Sequence, residues 1–110
     1  MSIKFPFRIR YEPRKAYGVN FVSGFTDLDQ VGSCNPNTKE IKIKSGLSEK
    51  ETVNTMLHER IHVLGFEREL NLTEAQVEGI ELGLIKLFGL NQDFLRLLYE
   101  TYRKSNRGAK

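Results

Sequence analysis

The sequence predicts an α+β domain, with a small antiparallel or mixed sheet in its N-terminal half packed on a helix that two further helices follow. Three observations carry this. Apolar residues alternate with polar ones through the first half, the period of a half-buried strand. Two helix-start signatures, Ser48–Glu51 and Thr73–Gln76, open the second half, and each precedes apolar residues at helical spacing. A chain of 110 residues holds one core, so residues 1–110 are read as a single domain.

Ile3 to Arg10 alternates Phe5, Phe7 and Ile9 against Lys4, Arg8 and Arg10, and Pro6 marks it as an edge strand or a strand start. Tyr17 to Phe25 is a second strand, with Tyr17, Val19 and Phe21 on one face. Gly32-Ser33-Cys34 is a short third one. Asn35-Pro36-Asn37-Thr38 is a turn, after which Ile41 and Ile43 alternate with lysines in a strand from Glu40 to Lys44. The first helix follows Ser48 and carries a Val53, Met56, Leu57, Ile61, Leu64 stripe for the core. The second follows Thr73, with Leu72 and Val77 as its hydrophobic staple, and shows Val77, Ile80, Leu84, Leu87 and Phe88 on its apolar face. A third begins near Asn91, spaces Phe94, Leu97, Leu98 and Tyr102 helically, and ends in a basic tail toward residue 110.

Composition bounds the function classes. Hydrophobic residues at 39% and charged residues at 28% are ordinary for a globular protein. No apolar run approaches the roughly 20 residues that cross a bilayer, and the N-terminus lacks the apolar core of a secretory signal. The single cysteine, Cys34, excludes an intramolecular disulfide. A reducing cytoplasm is the expected compartment. The net charge of +3 is a weak signal for nucleic acid, even with Arg96, Arg103, Lys104, Arg107 and Lys110 near the C-terminus.

The chemistry-bearing segment is His58-Glu59-Arg60-Ile61-His62, an HExxH pattern that holds both histidines of the chain. Four residues apart on a helix, the two imidazoles project from one side and can share a tetrahedral zinc ion. Glu59, beside them, can take a proton from a water that the metal has acidified. The histidines share a face with Asn54, Thr55 and Gly65, apart from the apolar stripe. With no third histidine, the third ligand must be a carboxylate, Cys34 or a tyrosine. Position 68 is Arg and no Met follows the motif, which excludes the three-histidine metzincin pattern. If the second helix returns antiparallel from Glu74, residues 78–81 lie level with the histidines. Glu78 is then the first candidate, with Glu74 the alternative and Glu81 after it; Glu74 also suits the helix dipole on its own account.

The segments Thr55-Met56-Leu57-His58-Glu59-Arg60-Ile61-His62 and Leu72-Thr73-Glu74-Ala75-Gln76-Val77-Glu78-Gly79 resemble small zincin-type proteins of phages and prophages. More distantly they are similar to the metallopeptidase domains of ImmA/IrrE-type regulators. The resemblance covers roughly residues 30–88 and implies a minimal zincin-like fold of the gluzincin kind, with a glutamate ligand on the following helix. It implies a zinc metallopeptidase acting on a peptide or protein, in the cytoplasm of a phage-infected or prophage-bearing bacterial host. Its Ala after the helix glutamate matches Glu74-Ala75. It also implies that the strand Ile41 to Lys44 is an edge strand beside the metal, where a peptide pairs with free backbone groups. Two other readings belong to different classes: a metal-stabilised binding or regulatory module without catalysis, and a nucleic-acid-associated protein.

Overall fold

A computed structural model of the chain describes residues 8–12 and 15–108. Four strands, β1 (Arg8–Glu12), β2 (Lys15–Val22), β3 (Gly32–Asn35) and β4 (Glu40–Lys44), precede three helices, α1 (Glu49–Glu67), α2 (Glu74–Leu90) and α3 (Gln92–Gly108). This is the α+β architecture expected. Of the strand expected over Ile3 to Arg10, the part from Ile3 to Phe7 lies outside the described residues.

The sheet is mixed, in the order β1-β2-β4-β3. The β1/β2 and β3/β4 pairs are antiparallel hairpins, while β2 and β4 run parallel, with Val19 opposite Ile41 and Phe21 opposite Ile43. Asn35 builds the turn between β3 and β4, its Oδ1 accepting the N–H groups of Asn37 and Thr38 at 2.9 and 3.3 Å. This order corrects one expectation: β4 is paired on both sides, so Ile41 to Lys44 is not an edge strand. The edge beside α1 is β3. β4 is the strand with two alternating buried isoleucines, and a strand buried that way gains most by lying inside the sheet.

Tyr17, Val19, Ile41 and Ile43 point to the helical side and form one buried cluster with Met56 and Val63 of α1; Cys34 and Leu47 pack against it. Both capping boxes form as expected, Ser48 with Glu51 and Thr73 with Gln76. The face that α1 turns to the sheet differs from the expected stripe. Thr52, Thr55, Met56, Glu59 and Val63 are buried, whereas Val53 and Leu64 stand largely exposed. At about 100° per residue the five buried positions fall on one side of α1, with His58 and His62 round the flank and Ile61 opposite. Threonine methyls and a glutamate thus occupy a face that a count of apolar residues passes over.

The far end of α1 is tied to the sheet through Glu67, whose Oε2 accepts from the Tyr17 hydroxyl and from Lys39 Nζ, both at 2.6 Å. The chain then reverses through Glu69 and Asn71, both with φ of 53°. Leu72 closes against Gly65, where an added Cβ would meet Leu72 Cδ1 at 3.1 Å. That tight return starts α2 beside the last turns of α1. Among the described residues no helix is long and apolar enough to cross a membrane.

Candidate metal centre

The histidine-bearing flank of α1 faces the start of α2, and the carboxylate that arrives there is Glu74. Its Oε1 lies 3.0 Å from His58 Nε2 and 2.6 Å from His62 Nε2, with Oε2 3.1 Å from the latter. One ligand atom from each of His58, His62 and Glu74 lies within 4.8 Å of the others, the one such group among the described residues. Glu78, the first candidate, is not in this group, and Glu74, the alternative, is. The inward face of α2 centres on Val77, Glu81, Leu84 and Phe88, the residues of that helix that lose solvent. Glu78 lies about 80° round the helix from that centre and is exposed. Levelling by length brings residues 78–81 to the histidines, and Glu81 does reach His58, but the carboxylate shared by both histidines lies one turn nearer the start of α2 than Glu78.

Glu81, the last candidate in sequence, has a different place. Its Oε1 lies 2.7 Å from His58 Nδ1, on the far side of the ring from Glu74. His58 thus sits between two carboxylates. Burial pulls its pKa down, but the hydrogen bonds to Glu81 and Glu74 outweigh burial, and the pKa is raised above its ordinary value. Burial pushes the pKa of Glu74 up, but the hydrogen bonds and charges of His58 and His62 together outweigh it, and the pKa is lowered. His62 is edge-on to His58, with ring centres 5.0 Å apart, and stacks on Phe66 at 5.9 Å.

Glu59 lies under the sheet, on a cleft that it shares with His58. It is 4% exposed, and Gly32 of β3 comes so close that an added Cβ would stand 2.8 Å from its Oε2. Burial, reinforced by the charges of Glu74 and Glu81 and partly offset by His58, pushes its pKa up to about 7. A cleft of about 280 Å³ opens where these parts meet, lined by Val31, Gly32, Asn54, Thr55, His58, Glu59 and Glu81. A second hollow of about 430 Å³ lies on the His62 side against Phe66 and Leu72.

Cys34 is not part of the cluster. Burial, followed by the charges of Glu59 and Glu67, raises its thiol to about 12, and a neutral thiol is a poor ligand. The contribution of Gly32 went unread in the sequence. The available signal was a glycine opening a short strand, which often marks a close approach of another element. Comparison with protein families, with curated proteins and with solved structures gives no match for this chain.

Proposed function

We propose that this protein is a zinc-dependent metallopeptidase of minimal zincin-like build, with His58, His62 and Glu74 as metal ligands and Glu59 as general base. One observation carries the reading: two imidazole nitrogens and a carboxylate converge within 4.8 Å, and a buried glutamate shares the adjoining cleft. The donor set fits the ion. Two histidines and one carboxylate are the ligands of an open catalytic zinc site, and tetrahedral bonds of about 2.0–2.1 Å would hold ligand atoms roughly 3.3 Å apart. The Glu74 side chain is 66% exposed, which leaves it free to withdraw by the few tenths of an ångström this requires.

When bound, zinc would supply Lewis acidity, bringing the pKa of a water towards 7 and polarising the scissile carbonyl. The chain's own residues do the rest. Glu81 accepts the Nδ1–H of His58, fixing the tautomer whose Nε2 lone pair faces the metal. Glu59, with a pKa near neutrality, takes the proton from the attacking water and passes it to the leaving amine nitrogen. β3, at the sheet edge against α1, offers its outer backbone groups to an extended peptide.

The test is a metal count with a cleavage assay. Purified protein should hold about one zinc per chain. Glu59→Gln should keep the metal and lose turnover on a quenched-peptide library, Glu74→Ala should lose the metal, and Glu78→Ala should keep it. Full turnover in Glu59→Gln would overturn the mechanism. Zinc-dependent melting without cleavage of any peptide would favour the non-catalytic module instead.

A further inference from the structure

The hollow of about 430 Å³ beside His62 has room for one long side chain, and none of the catalytic steps above uses it. Its walls are His62, Gly65, Phe66 and Leu72, and its other polar residues are Glu69 and Asn71. His62 belongs both to the group that could hold a metal and to this hollow, so the two adjoin. Phe66 stacks on His62 and is still 45% exposed, and Leu72 is half-buried beside it.

The polar end is set by the way α1 stops. Leu70 N–H donates to the Gly65 carbonyl at 2.9 Å and Glu69 N–H to that of Phe66 at 3.4 Å, the paired contacts of a Schellman ending. Glu69 holds its left-handed position, with φ of 53°, where glycine is favoured because a Cβ crowds the following carbonyl. A glutamate there weakens the helix end, and its side chain makes no hydrogen bond or ion pair with a described residue in return. Arg68, next to it, does not line the hollow. Backbone strain held without a local return is typical of positions kept for binding.

We infer that the hollow is a subsite for a basic side chain, arginine or lysine, on a substrate residue beside the cleaved bond, and that Glu69 selects it. This rests on the metallopeptidase reading and names its substrate class. Seven residues separate His62 from Glu69, about 10 Å along α1. That span suits a long apolar stem with a charged head. The stem lies along Phe66 and Leu72, and the head meets the Glu69 carboxylate, with the Asn71 side-chain oxygen as a second acceptor. An acidic side chain would meet like charge, and a short apolar one would leave the carboxylate unanswered.

With zinc added, quenched peptides carrying arginine or lysine beside the cleaved bond should show a kcat/KM about tenfold above those with norleucine there, the worth of one partly screened charged hydrogen bond. Glu69→Gln should remove that margin, and Glu69→Lys should turn it towards peptides with glutamate. Glu69→Gly should remove it without lowering the melting temperature, because glycine suits a φ of 53°. A binding assay runs beside these: Nα-acetyl-arginine amide should shift the backbone amide resonances of Gly65, Glu69 and Leu72, whereas Nα-acetyl-norleucine amide, or the arginine probe on Glu69→Gln, should not. Cleavage without a basic preference, or a preference that survives Glu69→Gln, would overturn the inference and leave the peptidase reading standing. Absence of all cleavage would overturn the peptidase reading, and the binding assay then decides: selective shifts uphold the basic subsite, and no shifts overturn it.

Discussion

Replacing Gly32 by alanine puts one methyl group where β3, Thr55 and Glu59 meet. The φ of Gly32 is outside the left-handed range, so alanine meets no backbone objection, and the effect is one of space. The new Cβ would stand 2.8 Å from Thr55 Cγ2 and 2.8 Å from Glu59 Oε2. Carbon atoms pack at about 3.5–4.0 Å, so something must retreat by roughly 0.7 Å or more. Thr55 resists, because its hydroxyl donates to the Glu51 carbonyl at 2.7 Å and its side chain is buried. The strain falls on Glu59 and on the seat of β3. Overpacking of this kind costs about 1–3 kcal/mol. For a chain of this length that is roughly 4–12 °C of melting temperature. If Glu59 is the general base, its displacement also costs about 100-fold in kcat/KM, the penalty of a misplaced catalytic group. Zinc content should not change, since no ligand touches the new methyl. Thermal melting, peptide cleavage and metal analysis on one preparation read all three. Gly79→Ala is the control: a Cβ there meets nothing within 4 Å, and alanine in a helix should stabilise by up to about 1 kcal/mol. A Gly32→Ala protein with wild-type melting and turnover would refute both the close packing of β3 on α1 and the role given to Glu59.

Glu81→Ala removes the partner of His58 Nδ1 and should weaken zinc binding by about 10–100-fold in a competition titration, with the ligands intact. Acidity should compete with the metal: because the pKa of His58 is raised, zinc affinity should begin to fall at a pH above the ordinary histidine value, by up to about tenfold per pH unit for each proton displaced. In the metal-free protein, the raised pKa values of Glu59 and His58 act in one direction. The folded state holds protons that the unfolded state releases, so stability should decline as pH rises from about 4.5, the ordinary carboxylate value, through about 7. For Glu59 the ceiling is of the order of 3 kcal/mol, read from melting temperatures in chelator between pH 5 and 8. Cys34, raised to about 12, should react with a disulfide reagent at pH 8 orders of magnitude more slowly in the native protein than after denaturation.

The elements were legible where local chemistry decides them. Ser48 with Glu51 and Thr73 with Gln76 cap their helices through contacts three residues apart, and Asn35 folds its own turn. Such interactions need no knowledge of the rest of the chain. The mixed pairing of the sheet was less accessible, because β2 and β4 meet across an intervening strand and nothing in either segment encodes a parallel partner. The site divides in the same way. His58 and His62 share a face by helical geometry alone, which the sequence reveals. The carboxylate that joins them depends on how α2 is both levelled and rotated against α1, which follows from the tight return of Leu72 on Gly65 and from Val77, Glu81, Leu84 and Phe88 turning inward together. An apolar count placed Ile80 and Leu87 on the packing face. Both stay exposed, since one inward position belongs to a glutamate that a hydrophobicity pattern counts as surface. Glu59 misleads the same rule on α1, where a carboxylate occupies the centre of the face turned to the sheet. Two buried or half-buried glutamates, one on each helix, therefore account for both errors of helix rotation. Burying a carboxylate costs stability unless something answers it, and on this chain both lie against His58, one through a hydrogen bond and the other through its charge. The residues that made the packing hard to read are the ones assembled around the proposed metal centre, where local rules are expected to give way to function.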